Sequence, residues 1–192
     1  MSDGLPIRTV GYGNRSVSEV MELVRKHGAE WIVDVRTSPY SKFSPGFSRD
    51  ALESTARKEG FKYLFLGAEL GGRPDDPTCY MDGKIDYEKA RTRPAFVEGL
   101  GRLKVAAEKG ISVCLLCSEL RPQECHRAKL IGVSLTAMGI LVEHIDEAGA
   151  IKGQREVMSL LEGPQLAFLY GIAGSGKPMD DSDQVRTERT CP

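Results

Sequence analysis

The sequence lacks a strong net charge. Its 192 residues include 26 lysines and arginines and 27 aspartates and glutamates, so the formal net charge is -1 at pH 7. A chain without a basic field can contact a nucleic acid or a phosphate only through a local patch. The hydrophobic fraction of 41% and the charged fraction of 28% are those of an ordinary globular domain, which excludes a disordered or fibrous chain.

Long apolar runs and regularly spaced cysteines are also missing. No stretch reaches the roughly 18 apolar residues that span a bilayer, and the first ten residues resemble no signal peptide. The five cysteines are odd in number and lack the spacing of a secreted disulfide framework. We therefore expect reduced thiols, a cytoplasmic location and no membrane partner.

Short apolar runs alternate with segments of helical periodicity. The runs predicted as strands are residues 7–12, 31–36, 62–66, 112–117 and 142–146. Strands that alternate with helices imply right-handed crossovers and a mainly parallel sheet. We therefore predict a Rossmann-like, doubly wound α/β fold with a five-stranded sheet and helices on both faces. By analogy with such folds we expect the strand order 3-2-1-4-5, with ligands bound beside the loops after strands one and four.

Four segments are predicted as helices. A capping box from Ser16 to Glu19 begins the first, and residues 48–60 form the second. Pro94 and Pro122 would begin the third and fourth, since proline suits the first helical position. The third helix would face the core with Phe96, Val97, Leu100, Leu103 and Ala107. The fourth would place Leu130, Ile131, Leu135 and Met138 inward.

The predicted elements divide the chain into a domain and a tail. Residues 1–163 are expected to form a single α/β domain, and residues 164–192 a polar, glycine-rich C-terminal extension. Residues 67–93 make a connection that is too long for a compact domain without a function or structure of its own. We interpret this connection as a lid or flap.

The densest chemistry follows the fourth predicted strand, in the segment CSELRPQECHR, residues 117–127. The candidate catalytic residues there are Cys117, Glu119, Cys125 and His126. A thiolate beside a helix N-terminus and an arginine has a lowered pKa and becomes a nucleophile. Glu119 and His126 would then transfer protons. The alternative is that both cysteines are structural residues buried in the core.

A metal site is a competing interpretation of the same residues. Cys114 and Cys117 have the spacing of a zinc knuckle, but in a strand they point to opposite faces and stand about 10 Å apart. A site made from Cys117, Cys125 and His126 would need two adjacent residues to converge on one ion, which requires a distorted backbone. We therefore predict no metal and no other cofactor, and a metal held by Cys117, Cys125 and His126 stays open as the alternative.

The turn after the first strand, GYGNRS, is a candidate anion site. Its glycines allow a tight turn, and the capped helix that follows presents free N–H groups. Tyr12, Asn14 and Arg15 are its candidate ligand-binding residues.

The second strand carries a carboxylate in apolar surroundings. A buried Asp34 has to be paired or hydrogen-bonded, and Arg36 or Arg127 are the candidate partners. A buried ion pair that holds the loops together explains this arrangement as well as contact with a substrate does.

Four motifs follow one another along the chain: Gly11-Tyr12-Gly13-Asn14-Arg15, Asp34-Val35-Arg36-Thr37-Ser38-Pro39, Leu70-Gly71-Gly72, and Cys117-Ser118-Glu119 with Cys125-His126-Arg127. Over roughly residues 7–146 the chain thereby resembles the domain of unknown function family 488. The resemblance implies a Rossmann-like fold and an intracellular location, but no settled activity. Gly13 stands where serine is frequent in the family, so the resemblance implies no hydroxyl role there.

Together these features predict an enzyme that acts on an anionic small molecule, with a nucleotide or a modified base as open alternatives. Its nucleophile or redox thiol would be Cys117 or Cys125, which fits a cysteine-dependent transferase or hydrolase. The anion would be held by Arg15, Arg36, Arg73 and Arg127.

Two other functions stay open. One is a non-catalytic module that binds a phosphorylated ligand, with structural cysteines. The other is a nucleic-acid-associated factor that stacks bases on Tyr40, Phe43 and Phe47. The sequence predicts no particular oligomeric state, and a homodimer is one alternative.

Overall fold

A mainly parallel β-sheet forms the centre of the computed structural model, which describes residues 4–161. The strands are β1 (Ile7–Gly11), β2 (Trp31–Asp34), β3 (Lys62–Phe65), β4 (Tyr80–Met81), β5 (Lys84–Ile85), β6 (Val113–Cys117), β7 (Val142–Ile145) and β8 (Ile151–Gly153). Six of them form one sheet in the order β3-β2-β6-β1-β7-β8, and β4 pairs with β5 in a separate hairpin. Within the large sheet, neighbouring strands run parallel except for β7 with β8.

Helices cover both faces of this sheet. They are α1 (Val17–Lys26), α2 (Arg49–Lys58), α3 (Gly67–Leu70), α4 (Tyr87–Arg91), α5 (Pro94–Glu108), α6 (Val133–Ala137) and α7 (Gln154–Ser159). Helices α1 and α2 share one buried core with Cys114, whereas α3, α5 and α6 share the other with Cys117. The two cysteines therefore lie on opposite faces, and the predicted Rossmann-like α/β fold with two helical layers is confirmed.

Local signals in the sequence account for the helix ends. The Ser16 hydroxyl accepts the backbone N–H of Glu19 at 3.2 Å, and the Glu19 carboxylate accepts the N–H of Ser16 at 2.6 Å. This capping box begins α1, which ends before Gly28, where φ is +71°. Pro94 is the first residue of α5, as predicted.

One residue of α5 was assigned to the wrong face. The predicted core residues Phe96, Leu100, Leu103 and Ala107 are buried, but Val97 is 55% exposed. Val97 follows Phe96 directly and is therefore turned about 100° around the helix axis, away from the buried stripe.

The predicted strand number and strand order were both wrong. Strand β6, the fourth of the predicted strands, lies between β2 and β1, and the antiparallel β8 adds a sixth strand at the edge. All residues of β6 are buried, as expected for a continuous apolar run in the middle of a parallel sheet. Strand β8 has only three residues, ends in glycine and carries no apolar alternation that would reveal it.

The observed strand order also changes the expected position of the ligand-binding crevice, the topological switch point of the sheet. Strands β2 and β6 are neighbours. The chain leaves β2 toward β3, at one edge of the sheet, but leaves β6 in the opposite direction, toward β7. Connections that depart in opposite directions open a crevice at the carboxyl ends of the two strands, where ligands bind in such folds. The crevice therefore lies between β2 and β6, and not between the first and fourth predicted strands.

The fourth predicted helix is interrupted. Pro122–Glu124 forms a 3-10 turn, Cys125 is extended at φ -109° and ψ 148°, and a π-helical segment, Arg127–Gly132, precedes α6. Cys125 therefore does not lie inside a first helical turn. Met138, predicted to face the core, follows α6 and is 40% exposed. Proline suits the start of a 3-10 turn as well as that of an α-helix, so the sequence does not distinguish them.

The long connection of residues 67–93 has structure of its own. It contains α3, a 3-10 turn at Pro77–Cys79, the β4–β5 hairpin and α4. Among the described residues, no helix combines the length and the apolar character needed to cross a bilayer. The predicted extension, residues 164–192, lies outside the described residues.

Candidate functional site

Two thiols, a carboxylate and an imidazole converge at the carboxyl end of β6. Cys117 is the last residue of this strand, Glu119 follows two residues later, and Cys125 and His126 come after the 3-10 turn. Their sulfur, oxygen and nitrogen atoms all lie within 4.8 Å of one another. We call these four side chains the thiol cluster. All four were predicted from the sequence, because they share one short segment.

Hydrogen bonds connect the members of the thiol cluster. Both thiols point at one oxygen, Oε2 of Glu119, at 2.8 Å from Cys117 Sγ and 3.0 Å from Cys125 Sγ. Nδ1 of His126 lies 3.6 Å from the first sulfur and 3.7 Å from the second. Nε2 of His126 is 3.1 Å from the carbonyl oxygen of Val35. A carbonyl only accepts, so Nε2 carries a proton, and Nδ1 faces the two sulfurs.

The cluster changes the acidity of its own members. Burial opposes ionisation of Cys117, but hydrogen bonding with Cys125 and the charge of His126 outweigh it and lower the Cys117 pKa. Burial and the neighbouring Cys117 raise the pKa of Cys125. Burial also opposes ionisation of Glu119, yet hydrogen bonds from the two thiols lower its pKa to about 2. One thiol of the pair therefore ionises readily, while the other stays protonated.

Arg127 holds the backbone of the cluster in place. Its side chain is fully buried, and its guanidinium donates to the carbonyl oxygens of Glu119 and Leu120, the latter at 2.9 Å. Its backbone N–H donates to Cys125 Sγ at 3.4 Å. The predicted ligand-binding residue Arg127 is therefore engaged with the protein's own backbone.

Two glycines allow close packing around the cluster. The sequence predicted only a tight turn for Gly11, and it gave Gly72 only as part of a motif. A Cβ on Gly11 would lie 1.8 Å from the carbonyl oxygen of Glu119. A Cβ on Gly72 would lie 2.6 Å from Cγ of His126. The glycines of the first and third motifs thus allow the backbone to approach the cluster. The sign of this role in the sequence was that both glycines belong to the ordered motifs.

Three members of the thiol cluster, Cys117, Glu119 and His126, line a cleft of about 810 Å³ at the β2/β6 crevice. One wall consists of Arg36, Thr37 and Ser38 after β2. The opposite wall comes from the long connection and includes Arg73, Tyr80, Lys84 and Tyr87. The segment predicted as a lid or flap therefore borders the cleft, whereas Lys84 and Tyr87 were not predicted as site residues.

Asp34 and Arg36 form a buried ion pair beside the cleft. Asp34 accepts from Nε of Arg36 at 2.9 Å, from its second terminal nitrogen at 2.6 Å, and from the Tyr63 hydroxyl at 2.8 Å. The guanidinium also lies 5.5 Å from the ring centroid of Tyr12. Of the two predicted partners of Asp34, the structure shows Arg36. Among the described residues, the first terminal nitrogen of Arg36 has no hydrogen-bond partner.

The Asn14 and Arg15 side chains are not brought into the cleft. Arg15 donates to the carbonyl oxygens of Gly11 and Asp146, at 2.8 and 2.6 Å, and borders a separate cavity of about 390 Å³. Asn14 is exposed. The turn meets the cluster through its backbone instead, since the N–H of Tyr12 donates to the carbonyl oxygen of Cys117 at 3.1 Å.

Two other candidates lie apart from the thiol cluster or are unavailable: Cys114, and one of the three aromatic residues expected to stack bases. Burial raises the pKa of Cys114 to about 12, and this thiol lies on the other face of the sheet from the cluster. Phe47 is buried and stacks on Tyr12, with 4.0 Å between ring centroids, so it is not available to stack a base. Tyr40 and Phe43 are 76% and 95% exposed.

Comparison with known proteins confirms the family resemblance. The family model described as Domain of unknown function DUF488 matches residues 16–133 of the chain. This range contains the second, third and fourth motifs, whereas the Gly11 to Arg15 turn precedes it. No curated protein and no solved structure matches the chain.

Proposed function

Because the chain belongs to the family Domain of unknown function DUF488, whose description gives no activity, we propose a function from the geometry of its site. The protein is a cytoplasmic enzyme that acts on an anionic small molecule bound in the cleft, with the thiol cluster as its reactive centre. The observation that carries this proposal is the convergence of four reactive side chains, three of which line a cleft that also has cations along it.

The composition of the cluster supports catalysis over a structural role. Cysteines that are buried for packing behave as small hydrophobic residues and need no polar neighbours. Here both thiols share the Glu119 carboxylate, and His126 is oriented by a backbone carbonyl. Groups whose pKa values are pushed in opposite directions inside a crevice are typical of acid–base and nucleophilic sites.

The walls of the cleft support an anionic ligand. Arg36, Arg73 and Lys84 border the cleft, and one buried terminal nitrogen of Arg36 has no hydrogen-bond partner among the described residues. The backbone N–H of Arg73 donates to Oγ1 of Thr37 at 3.0 Å, which holds the two walls together at this point. Guanidinium groups bind carboxylates and phosphates in a planar, paired geometry, and a lysine adds a point charge. Glu119 and Glu124 are the acidic side chains that border the same space.

The proposal is tested by binding and turnover with a defined set of anions. Inorganic phosphate, simple carboxylates and 5′-nucleoside monophosphates are titrated calorimetrically into the full-length protein, and products are followed by NMR. We expect at least one anion to bind, and an Arg73→Ala, Lys84→Ala double variant to bind it about tenfold more weakly. Arg57→Ala, with Lys62→Ala, is the matched control, because both side chains lie outside the cleft.

Turnover separates an enzyme from a binding module. We expect the bound anion to be converted by the wild type and not by a Cys117→Ser, Cys125→Ser double variant. A variant that keeps full affinity and full activity would show that the cysteines are not catalytic. A wild type that binds an anion but does not convert it would make the non-catalytic module the better description. A wild type that binds none of the anions would contradict the proposal itself.

A further inference from the structure

We propose that the thiol cluster is a binding site for a divalent transition metal of the zinc type, held by Cys117, Cys125 and His126. The fourth coordination position would face Glu119 and the cleft. This inference goes beyond the proposed function and uses it only in assigning the open position to the substrate side. It also replaces our expectation of a protein without metal.

The distances inside the cluster fit such an ion. In a tetrahedral site, metal–sulfur bonds of about 2.3 Å and metal–nitrogen bonds of about 2.0–2.1 Å place sulfur and nitrogen about 3.6 Å apart. The Nδ1 atom of His126 lies 3.6 Å from Cys117 Sγ and 3.7 Å from Cys125 Sγ. From the sequence, the adjacent residues Cys125 and His126 were expected to reach one ion only with a distorted backbone. The backbone at these residues provides that distortion. Cys125 is extended and His126 begins the next helix, so their side chains meet.

The surroundings of the three ligands are those of a metal site. A histidine ligand usually donates its other ring N–H to a carbonyl or carboxylate, which fixes the tautomer that binds the ion. Nε2 of His126 has this partner in the carbonyl oxygen of Val35, at 3.1 Å. Cys125 Sγ accepts the backbone N–H of Arg127, at 3.4 Å, as a thiolate ligand would. The three ligands are each at least nine-tenths buried, so they are held in place before an ion arrives.

Glu119 has a different place in the cluster. Its Oε2 lies 2.8 and 3.0 Å from the two sulfurs, closer than the edge of about 3.5 Å that a tetrahedral oxygen ligand requires. Glu119 is also the exposed member of the four and borders the cleft. We therefore assign three buried residues as ligands and Glu119 as the neighbour of an open position. Three protein ligands with an open position are typical of catalytic zinc sites, whereas four closed ligands are typical of structural ones.

The donor atoms select the class of ion. Two thiolates and an imidazole favour zinc and related transition metals, whereas magnesium and calcium require oxygen ligands. Two thiolates also cancel the charge of one divalent ion, so the filled site adds no net charge to this buried region.

Metal content and a cobalt titration test the inference. The full-length protein is stripped with a chelator and titrated with Zn²⁺, and separately with Co²⁺. We expect about one ion per chain, a higher Tm with Zn²⁺, and with Co²⁺ a thiolate-to-cobalt charge-transfer absorption with the strong visible bands of tetrahedral cobalt. These wild-type measurements do not depend on whether any variant folds. No binding of either ion, or a Cys117–Cys125 disulfide in the reduced preparation, would overturn the inference.

Variants identify the ligands. Cys117→Ser, Cys125→Ser and His126→Gln are expected to lose stoichiometric metal and the charge-transfer absorption. Cys114→Ala is the matched control, since it removes a thiol from the same strand on the opposite face and is expected to keep both. Glu119→Gln is expected to keep one ion, with affinity reduced by about 10- to 100-fold. Complete loss of metal in Glu119→Gln would contradict the open position.

The two proposals fail separately. If the wild type binds no metal but converts an anion, the enzyme proposal stands with a cysteine nucleophile and the metal inference is wrong. If the wild type binds one ion but neither binds nor converts any tested anion, the metal site stands and the proposed function is wrong.

Discussion

Arg127 holds the loop of the site in its conformation by hydrogen bonds to the backbone. It is the largest of the fully buried side chains, and its planar group donates to two carbonyl oxygens of the loop that carries Glu119. Among the described residues its Nε atom has no hydrogen-bond partner. A buried charge is tolerated only when its hydrogen bonds are nearly complete, so the loop conformation and the position of the arginine depend on each other.

Replacing Arg127 with lysine should destabilise the protein. Lysine keeps the charge but lacks the planar fork, so it cannot serve the carbonyls of Glu119 and Leu120 together. We expect the free energy of unfolding to fall by about 3 kcal/mol, measured by urea denaturation. Arg121→Lys in the same loop is the control, because its pair with Glu124 is exposed, and we expect a change of less than about 0.5 kcal/mol. Equal losses in the two variants would contradict this account of Arg127.

Among the elements, the β4–β5 hairpin borders the cleft, and the π-helical segment follows the thiol cluster. The hairpin turns through Asp82 and Gly83, whose φ angles are 51° and 73°, and it places Lys84 on the wall of the cleft. Two consecutive residues with positive φ are typical of the tight turn that joins antiparallel strands. The π-helical segment follows His126 directly, and Gln154 supports it by donating to the carbonyl oxygen of Ala128 at 3.0 Å.

A Gly83→Val substitution should loosen the hairpin. No atom lies within 4 Å of an added Cβ, so the cost comes from forcing a β-branched residue into positive φ. We expect amide hydrogens of the hairpin to exchange about tenfold faster, with little change in the protection of β6. Gly60→Val is a matched control, because Gly60 has a φ of 85° and open space but follows α2, away from the cleft. If Gly60→Val speeds exchange in the hairpin equally, the effect is not local.

Across the molecule, hydrogen bonds between buried side chains connect β1 through β7 to α7. Thr9 Oγ1 lies 2.7 Å from Nδ1 of His144, and Nε2 of His144 lies 2.6 Å from Oε1 of Gln154. An amide oxygen only accepts, so Nε2 carries the proton and the neutral ring accepts from the Thr9 hydroxyl. Burial, together with the charge of Arg127, lowers the pKa of His144 to about 4.

Stability should therefore fall in mild acid. The folded pKa of about 4 lies below the value of about 6.5 in the unfolded chain, so unfolding takes up a proton between these pH values. The contribution of His144 is complete above pH 6.5 and decreases as the pH falls, by about 2 kcal/mol at pH 5. Urea denaturation at pH 7.5 and pH 5 should show a smaller loss for His144→Gln than for the wild type. Identical losses would show that His144 does not carry this dependence.

Local features of the site were predictable from the sequence, and long-range ones were not. The four members of the thiol cluster share one short segment, and Asp34 lies two residues from Arg36, so neighbours along the chain reveal both groups. Lys84 and Tyr87 reach the cleft only because residues 67–93 fold back over the carboxyl end of the sheet. Arg15 was expected in the same site, but its guanidinium is engaged by the carbonyls of the loop after β7.

The amino-acid sequence by itself determined the α/β class, five of the six strands of the sheet, the capped start of α1 and the grouping of reactive side chains after β6. These depend on the period of apolar residues and on interactions between residues close in the chain. Only the tertiary structure decided that β6 lies beside β2, that the crevice opens there, and that Cys125 and His126 meet at one point. The physical reason is that strand order and a break in a helix depend on the packing of distant segments, which local periodicity does not record.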